Sequence, residues 1–127
     1  MTKLYKKKSA EEEQNLAVAK IIADKLGVDV SLRYNDPTKK TADAIINGEP
    51  WEIKTNYSST KSAIDSSIKN AKGQARNIIL HIQSDIKVKD AVMAVKHRMN
   101  RSDHFDRVYV VTKKGRVIKI VKKNNGQ

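Results

Sequence analysis

The chain has 127 residues, with 26 Lys and Arg against 14 Asp and Glu, for a formal charge of +12. That length suits one domain with its own core, and the absence of cysteine excludes a disulfide framework and any thiolate metal site. No apolar run approaches the roughly 20 residues of a membrane helix, and the lysine-rich start lacks the apolar stretch and cleavage site of a signal peptide, so the sequence reads as soluble.

Met1 to Lys8 reads as a basic flexible arm. Ser9, with Glu12 three residues on, is a capping box that opens a first helix over about 10–26. Leu16, Ala19, Ile22 and Leu26 form its apolar stripe, and Gly27 stops it. Val28, Val30 and Leu32 alternate with polar residues, which predicts a strand buried on one face. A turn and loop follow at 35–40.

Asn47-Gly48 is the strongest two-residue hairpin signal, and it lies between the short runs 42–46 and 49–55. The register can be counted outward from the turn: Ile46 opposite Glu49, Ile45 opposite Pro50, Ala44 opposite Trp51, and Asp43 opposite Glu52. Lys54 falls on the same face as that last pair. Pro50 then occupies a pair that exchanges no hydrogen bonds, which suits a residue with no donor. Carboxylates directly opposite each other repel, so Asp43 and Glu52 require an offset. Lys54, a divalent cation, or a raised pKa on one carboxyl would each supply it. A solvated Glu52–Lys54 pair on an open face is the plain alternative.

Thr60 is a good N-cap for a second helix, marked by Ile64, Ile68, Ala71 and Ala75 and ending near 73–75. Ile78 to Ile82 is a compact apolar strand of the kind buried on both faces. Val88, Ala91, Val92, Val95 and Met99 predict a third helix over about 87–99. A closing hairpin joins 108–111 to 117–121 across Lys114-Gly115. The chain thus reads as an arm over 1–8, one domain over 9–121 and a polar tail over 122–127. The fold class is α/β, loosely α+β: a mixed sheet in the order α-β-β-β-α-β-α-β-β, with helices packed on it and a right-handed crossover after the hairpin.

The charge is uneven. Residues 9–86 nearly balance, with 10 basic and 11 acidic groups, whereas 87–127 carry 12 basic groups against 3 acidic ones. Such a field is an electrostatic footprint for a polyanion, with nucleic acid first and an acidic protein second. Lys87, Lys89, Lys96, Arg98 and Arg101 are the expected nucleic-acid contacts. His81, within an apolar strand, reads as a core or interface histidine. His97 and His104 lack zinc-site spacing.

An acid on one strand followed by Glu-x-Lys on the next, within αβββαβ, resembles the PD-(D/E)XK nuclease superfamily. That resemblance implies a metal-dependent DNA endonuclease in which Asp43 and Glu52 hold Mg²⁺, Mn²⁺ or Zn²⁺ and Lys54 orients the attacking water. Glu12 or Glu13 would be extra ligands. A longer stretch, Ala42 to Lys54, a Ser/Thr/Lys-rich connector, Ile68 to Leu80 and the closing hairpin, is similar to the C-terminal tRNase domains of contact-dependent growth inhibition toxins. Related domains end phage head-morphogenesis proteins. This second resemblance implies membership of the barnase/EndoU/colicin/RelE superfamily and metal-free RNA cleavage through the RNA's own 2′-hydroxyl, with no cofactor. It also implies a tRNA substrate in the bacterial cytoplasm and an acidic immunity protein as partner. It adds Thr55, Lys61, Gln74 and Arg76 to Asp43, Glu52 and Lys54 as catalytic residues. Gln74 and Arg76 are expected to converge on the strand ends near the hairpin. A basic nucleic-acid-binding protein without chemistry is the reading from a different class.

Overall fold

A computed structural model describes residues 10–33, 42–71 and 75–122. The basic arm, the Ser9 cap, the loop at 35–40, Gln74 and the tail beyond Lys122 lie outside the described residues. The elements are α1 (Ala10–Leu26), β1 (Val30–Leu32), β2 (Ala44–Ile46), β3 (Glu49–Asn56), α2 (Lys61–Asn70), β4 (Asn77–Ile82), α3 (Val88–Asn100), β5 (Arg107–Val111) and β6 (Val117–Val121). This is the order expected from the sequence. One difference is that α2 stops at Asn70, where the amide of Ala71 folds back onto Ile68 O in a tighter closing turn.

The six described strands form one mixed sheet in chain order. β1, β2 and β3 are antiparallel, β3, β4 and β5 are parallel, and β6 returns antiparallel to β5. Parallel neighbours need a crossover, and α2 and α3 supply the two that occur here. The hairpin register is the counted one: Ile46 opposite Glu49, Ile45 opposite Pro50, Ala44 opposite Trp51. Asn47 (φ 52°) and Gly48 (φ 80°) both take the left-handed conformation that a type I′ turn demands.

Two apolar clusters sandwich the sheet. Ile64 and Ile68 of α2 and Ala91, Val95 and Met99 of α3 pack with Ile78, Leu80, Val108 and Val110. Val18 and Ile22 of α1 pack with Trp51, Ile53, Ile79 and Val111 on the other side. Every residue of β4 is buried, as expected of a strand covered on both faces. Trp51 lies in the α1-side cluster, its ring 4.4 Å from that of Tyr109. With i and i+2 sharing a face, Trp51 and Ile53 turn towards α1 while Glu52 and Lys54 turn away. Among the described residues no helix is long and apolar enough to cross a membrane.

Candidate active site

The β2–β3 ladder covers only three pairs and ends at Ala44. The amide of Ile53, which the next rung would have satisfied, donates instead to Asp43 Oδ2 at 2.9 Å. Asp43 is itself held by the donation of Arg33 N to its carbonyl at 2.8 Å. The end of a short strand thus turns the Asp43 carboxylate onto β3, beside Glu52. Glu52 is 4% exposed, and its Oε2 lies 3.7 Å from Lys54 Nζ. Oε1 of Glu52 is buried with no hydrogen-bond partner.

The Glu52 carboxyl is pushed up from 4.5 to about 8. Burial is the largest cause, followed by the hydrogen bond with Asp43 and its negative charge, while Lys54 pulls the other way. Near neutral pH the pair therefore holds a proton, which removes the repulsion that two opposed carboxylates would suffer. Of the three offsets open to the sequence, a raised pKa and Lys54 both operate. Asp43, Glu52 and Lys54 together can accept or give a proton and place one positive charge nearby.

This arrangement has a cost in stability. Between pH 4.5 and about 8 the folded protein keeps a proton that the unfolded chain releases. The contribution is fully present below 4.5 and is lost as the pH rises through 8. Glu52→Gln keeps the shape without the titration, and at pH 9 it should be more stable than the parent by about 2–4 kcal/mol, with little difference at pH 4.5. Urea unfolding across that range checks it; parallel pH profiles for the two proteins would refute the assignment.

A cleft of about 290 Å³ opens beside this cluster, lined by Glu52, Lys54, Thr55 and Tyr57 from the β3 side and Glu11, Gln14 and Asn15 from α1. Thr55 thus lines the same cleft, although alternation along β3 gives it the face of Trp51 and Ile53. Lys61 does not: it lies 3.8 Å from Asp90 and lines a separate groove of about 440 Å³ between α2 and α3, with Asp65, Met93, His97 and Arg101. Arg76 is committed to other partners. It makes a two-pronged contact with Asp106, both at 3.0 Å, and donates to Asp103 O at 2.9 Å. It precedes Asn77, which pairs with Trp51, whereas Lys54 pairs with Leu80. Along the strand Arg76 is four residues, about 13 Å, from the level of Lys54 and two residues from that of Glu52, which pairs with Ile78. Arg76 does reach the strand ends near the hairpin, because the parallel β3–β4 register puts the start of β4 beside the start of β3, but its guanidinium is held by Asp106 and Asp103.

The first helix contributes in a way that differs from expectation. Glu11, Gln14 and Asn15 line the cleft, whereas Glu12 and Glu13 do not. Gln14 and Asn15, two adjacent amides before the apolar stripe of α1, were the available signal, and Tyr57 had only its place directly after a strand. Among the described residues no group of three His, Cys, Asp or Glu side chains could hold a metal ion, so a cation would rest on Asp43 and Glu52. His81 is 4% exposed on β4, and burial holds it below the usual imidazole range. Its Nε2 lies 2.9 Å from Gln83 Nε2, an amide nitrogen that also donates to Ile82 O; its Nδ1 is buried without a partner.

Of the five expected nucleic-acid contacts, Lys87, Lys89, Lys96 and Arg101 are exposed. Arg98 is committed elsewhere, donating to both carboxylate oxygens of Asp65 at 2.8 and 2.6 Å and so tying α3 to α2.

The family model for the contact-dependent growth inhibition CdiA C-terminal domain matches residues 39–117, a span that contains Asp43, Glu52 and Lys54. The fold is similar to that of a solved structure, the CdiA-CT/CdiI toxin and immunity complex from Burkholderia pseudomallei. The TM-score is 0.67 at 22% identity, over 95% of each chain. No curated protein matches the chain by sequence.

Proposed function

The chain belongs to the contact-dependent growth inhibition CdiA C-terminal domain family, and from that premise we propose that it is a toxin nuclease whose centre is Asp43, Glu52 and Lys54. The observation that carries the proposal is buried Glu52, sharing a proton with half-buried Asp43 and paired with Lys54, where Glu52 and Lys54 line a cleft. Phosphodiester cleavage needs a group to take the proton of the attacking oxygen and positive charge for the phosphorane. The carboxyl pair serves the first need and Lys54 the second.

The favoured substrate is RNA, tRNA in particular, cut without metal in the bacterial cytoplasm. Asp43 and Glu52 then draw the proton from the RNA's 2′-hydroxyl while Lys54 faces the phosphoryl oxygens, and Thr55 lines the same cleft. The similar Burkholderia pseudomallei structure is a complex with an immunity protein. By the same reading this chain has an immunity partner, and its +12 charge suits an acidic one.

The second reading, a metal-dependent endonuclease, is favoured by one observation: Asp43 and Glu52-x-Lys54 stand on adjacent strands within αβββαβ. The residues fit a divalent ion in part, since Glu52 Oε1 is a buried oxygen without a partner and Asp43 lies beside it. When bound there, Mg²⁺, Mn²⁺ or Zn²⁺ would supply an activated water. Lys54 would then orient that water.

Purified protein incubated with total tRNA and with plasmid, each with EDTA or Mg²⁺, tests the proposal. Cutting of tRNA is expected, and intact tRNA and plasmid under every condition would refute the nuclease reading. Binding to RNA should also weaken steeply with salt, because residues 87–127 hold nine more basic than acidic groups. Lys87→Gln, Lys89→Gln and Lys96→Gln together should flatten the slope of log affinity against log salt by up to about three. An unchanged slope would turn that face of α3 away from the substrate.

A further inference from the structure

We propose that Tyr57 is a stacking platform for an unpaired base beside the scissile phosphate, and that the substrate is therefore RNA that is single-stranded or readily unstacked where it is cut. This rests on the nuclease reading above. Tyr57 is 69% exposed, the highest value among the exposed large hydrophobic residues described. The other described Trp, Tyr and Phe rings are used inside the fold: Trp51 against Tyr109, and Phe105 buried at 1%.

The position of Tyr57 is fixed from behind. It directly follows Asn56, the last residue of β3, which is 3% exposed. Asn56 Oδ1 accepts from Ser84 Oγ at 2.7 Å, and its carbonyl accepts from Gln83 N at 2.8 Å. A hydrogen-bonded backbone thus leads into an open ring on the wall of the cleft that Glu52, Lys54 and Thr55 also line. An aromatic face kept in water gains by covering a base, and any base offers a π face. Gln14 and Asn15 line the same cleft, and their amides offer both donors and acceptors to a base edge. With Lys54 near the phosphate, the cleft has a part for each portion of one nucleotide. A base inside a duplex already has both faces covered and cannot use the ring.

The test uses Tyr57→Ala and Tyr57→Phe with a short single-stranded RNA carrying 2-aminopurine at successive positions, and with the same strand fully paired. In cleavage assays Tyr57→Ala should raise KM roughly 10- to 100-fold and Tyr57→Phe should stay within about twofold of the parent. Binding is read in a Lys54→Ala background. There, 2-aminopurine fluorescence should fall at one position on binding, and the fall should vanish with Tyr57→Ala. Paired RNA should bind without that signal. If Tyr57→Ala leaves both KM and the fluorescence change intact, or paired RNA is cut as well as unpaired, the proposal is wrong and the nuclease reading stands. If the parent cuts no nucleic acid yet shows the Tyr57-dependent signal, the stacking site stands and the nuclease reading falls.

Discussion

Lys54→Ala is expected to slow phosphodiester cleavage by at least roughly 100-fold in a protein that remains folded, the scale of one lost contact to transition-state charge. Lys54 is the cation paired with Glu52, at 3.7 Å, and it lines the cleft. The substitution acts twice. It removes the charge facing the phosphoryl oxygens, and it removes the larger of the two influences that lower the Glu52 pKa, so the carboxyl keeps its proton to higher pH. The pH dependence of the residual rate should therefore move upward along with the fall in rate. Lys54 is partly exposed and packs in no apolar cluster, so unfolding by urea should change little. Near-normal cleavage by the folded variant would remove Lys54 from the mechanism.

A 2′-deoxy substitution at the scissile nucleotide is expected to abolish cleavage altogether. On the favoured reading the nucleophile belongs to the RNA, and the Asp43–Glu52 pair has no other proton to take. The products should carry a 2′,3′-cyclic phosphate, and the reaction should survive EDTA. The metal-dependent reading expects the reverse in each respect: cleavage of the deoxy substrate and of DNA, 5′-phosphate ends, and arrest by EDTA. End-group analysis of one cut tRNA decides between them. A metal ion found between Asp43 and Glu52 in crystals, with EDTA-sensitive cleavage, would overturn the metal-free preference.

Asp43, Glu52 and Lys54 could be brought together from the sequence because their relation is local. Nine residues separate Asp43 from Glu52, the Asn47-Gly48 turn fixes the register between them, and the two-residue period of a strand fixes the face. The same locality made the nine elements and the doubly buried β4 legible, since periodicity and turn chemistry act within about ten residues. The charged residues were a different matter. Arg76 and Arg98 looked like free cations, but their partners Asp106 and Asp65 lie 30 and 33 residues away, and only the folded chain commits those charges.

The sequence by itself determined the elements, the hairpin register and the presence of two carboxyls and a lysine on one face. The tertiary structure alone decided that Glu52 is buried with its pKa near 8, that Lys61 stands apart from it, that Arg76 is tied to Asp106, and that α1 and β3 line a cleft with Tyr57 on its wall. The physical reason is that alternation and turns depend on neighbours in the chain. Burial, charge pairing and cleft walls depend on neighbours in space, and those come from segments tens of residues away.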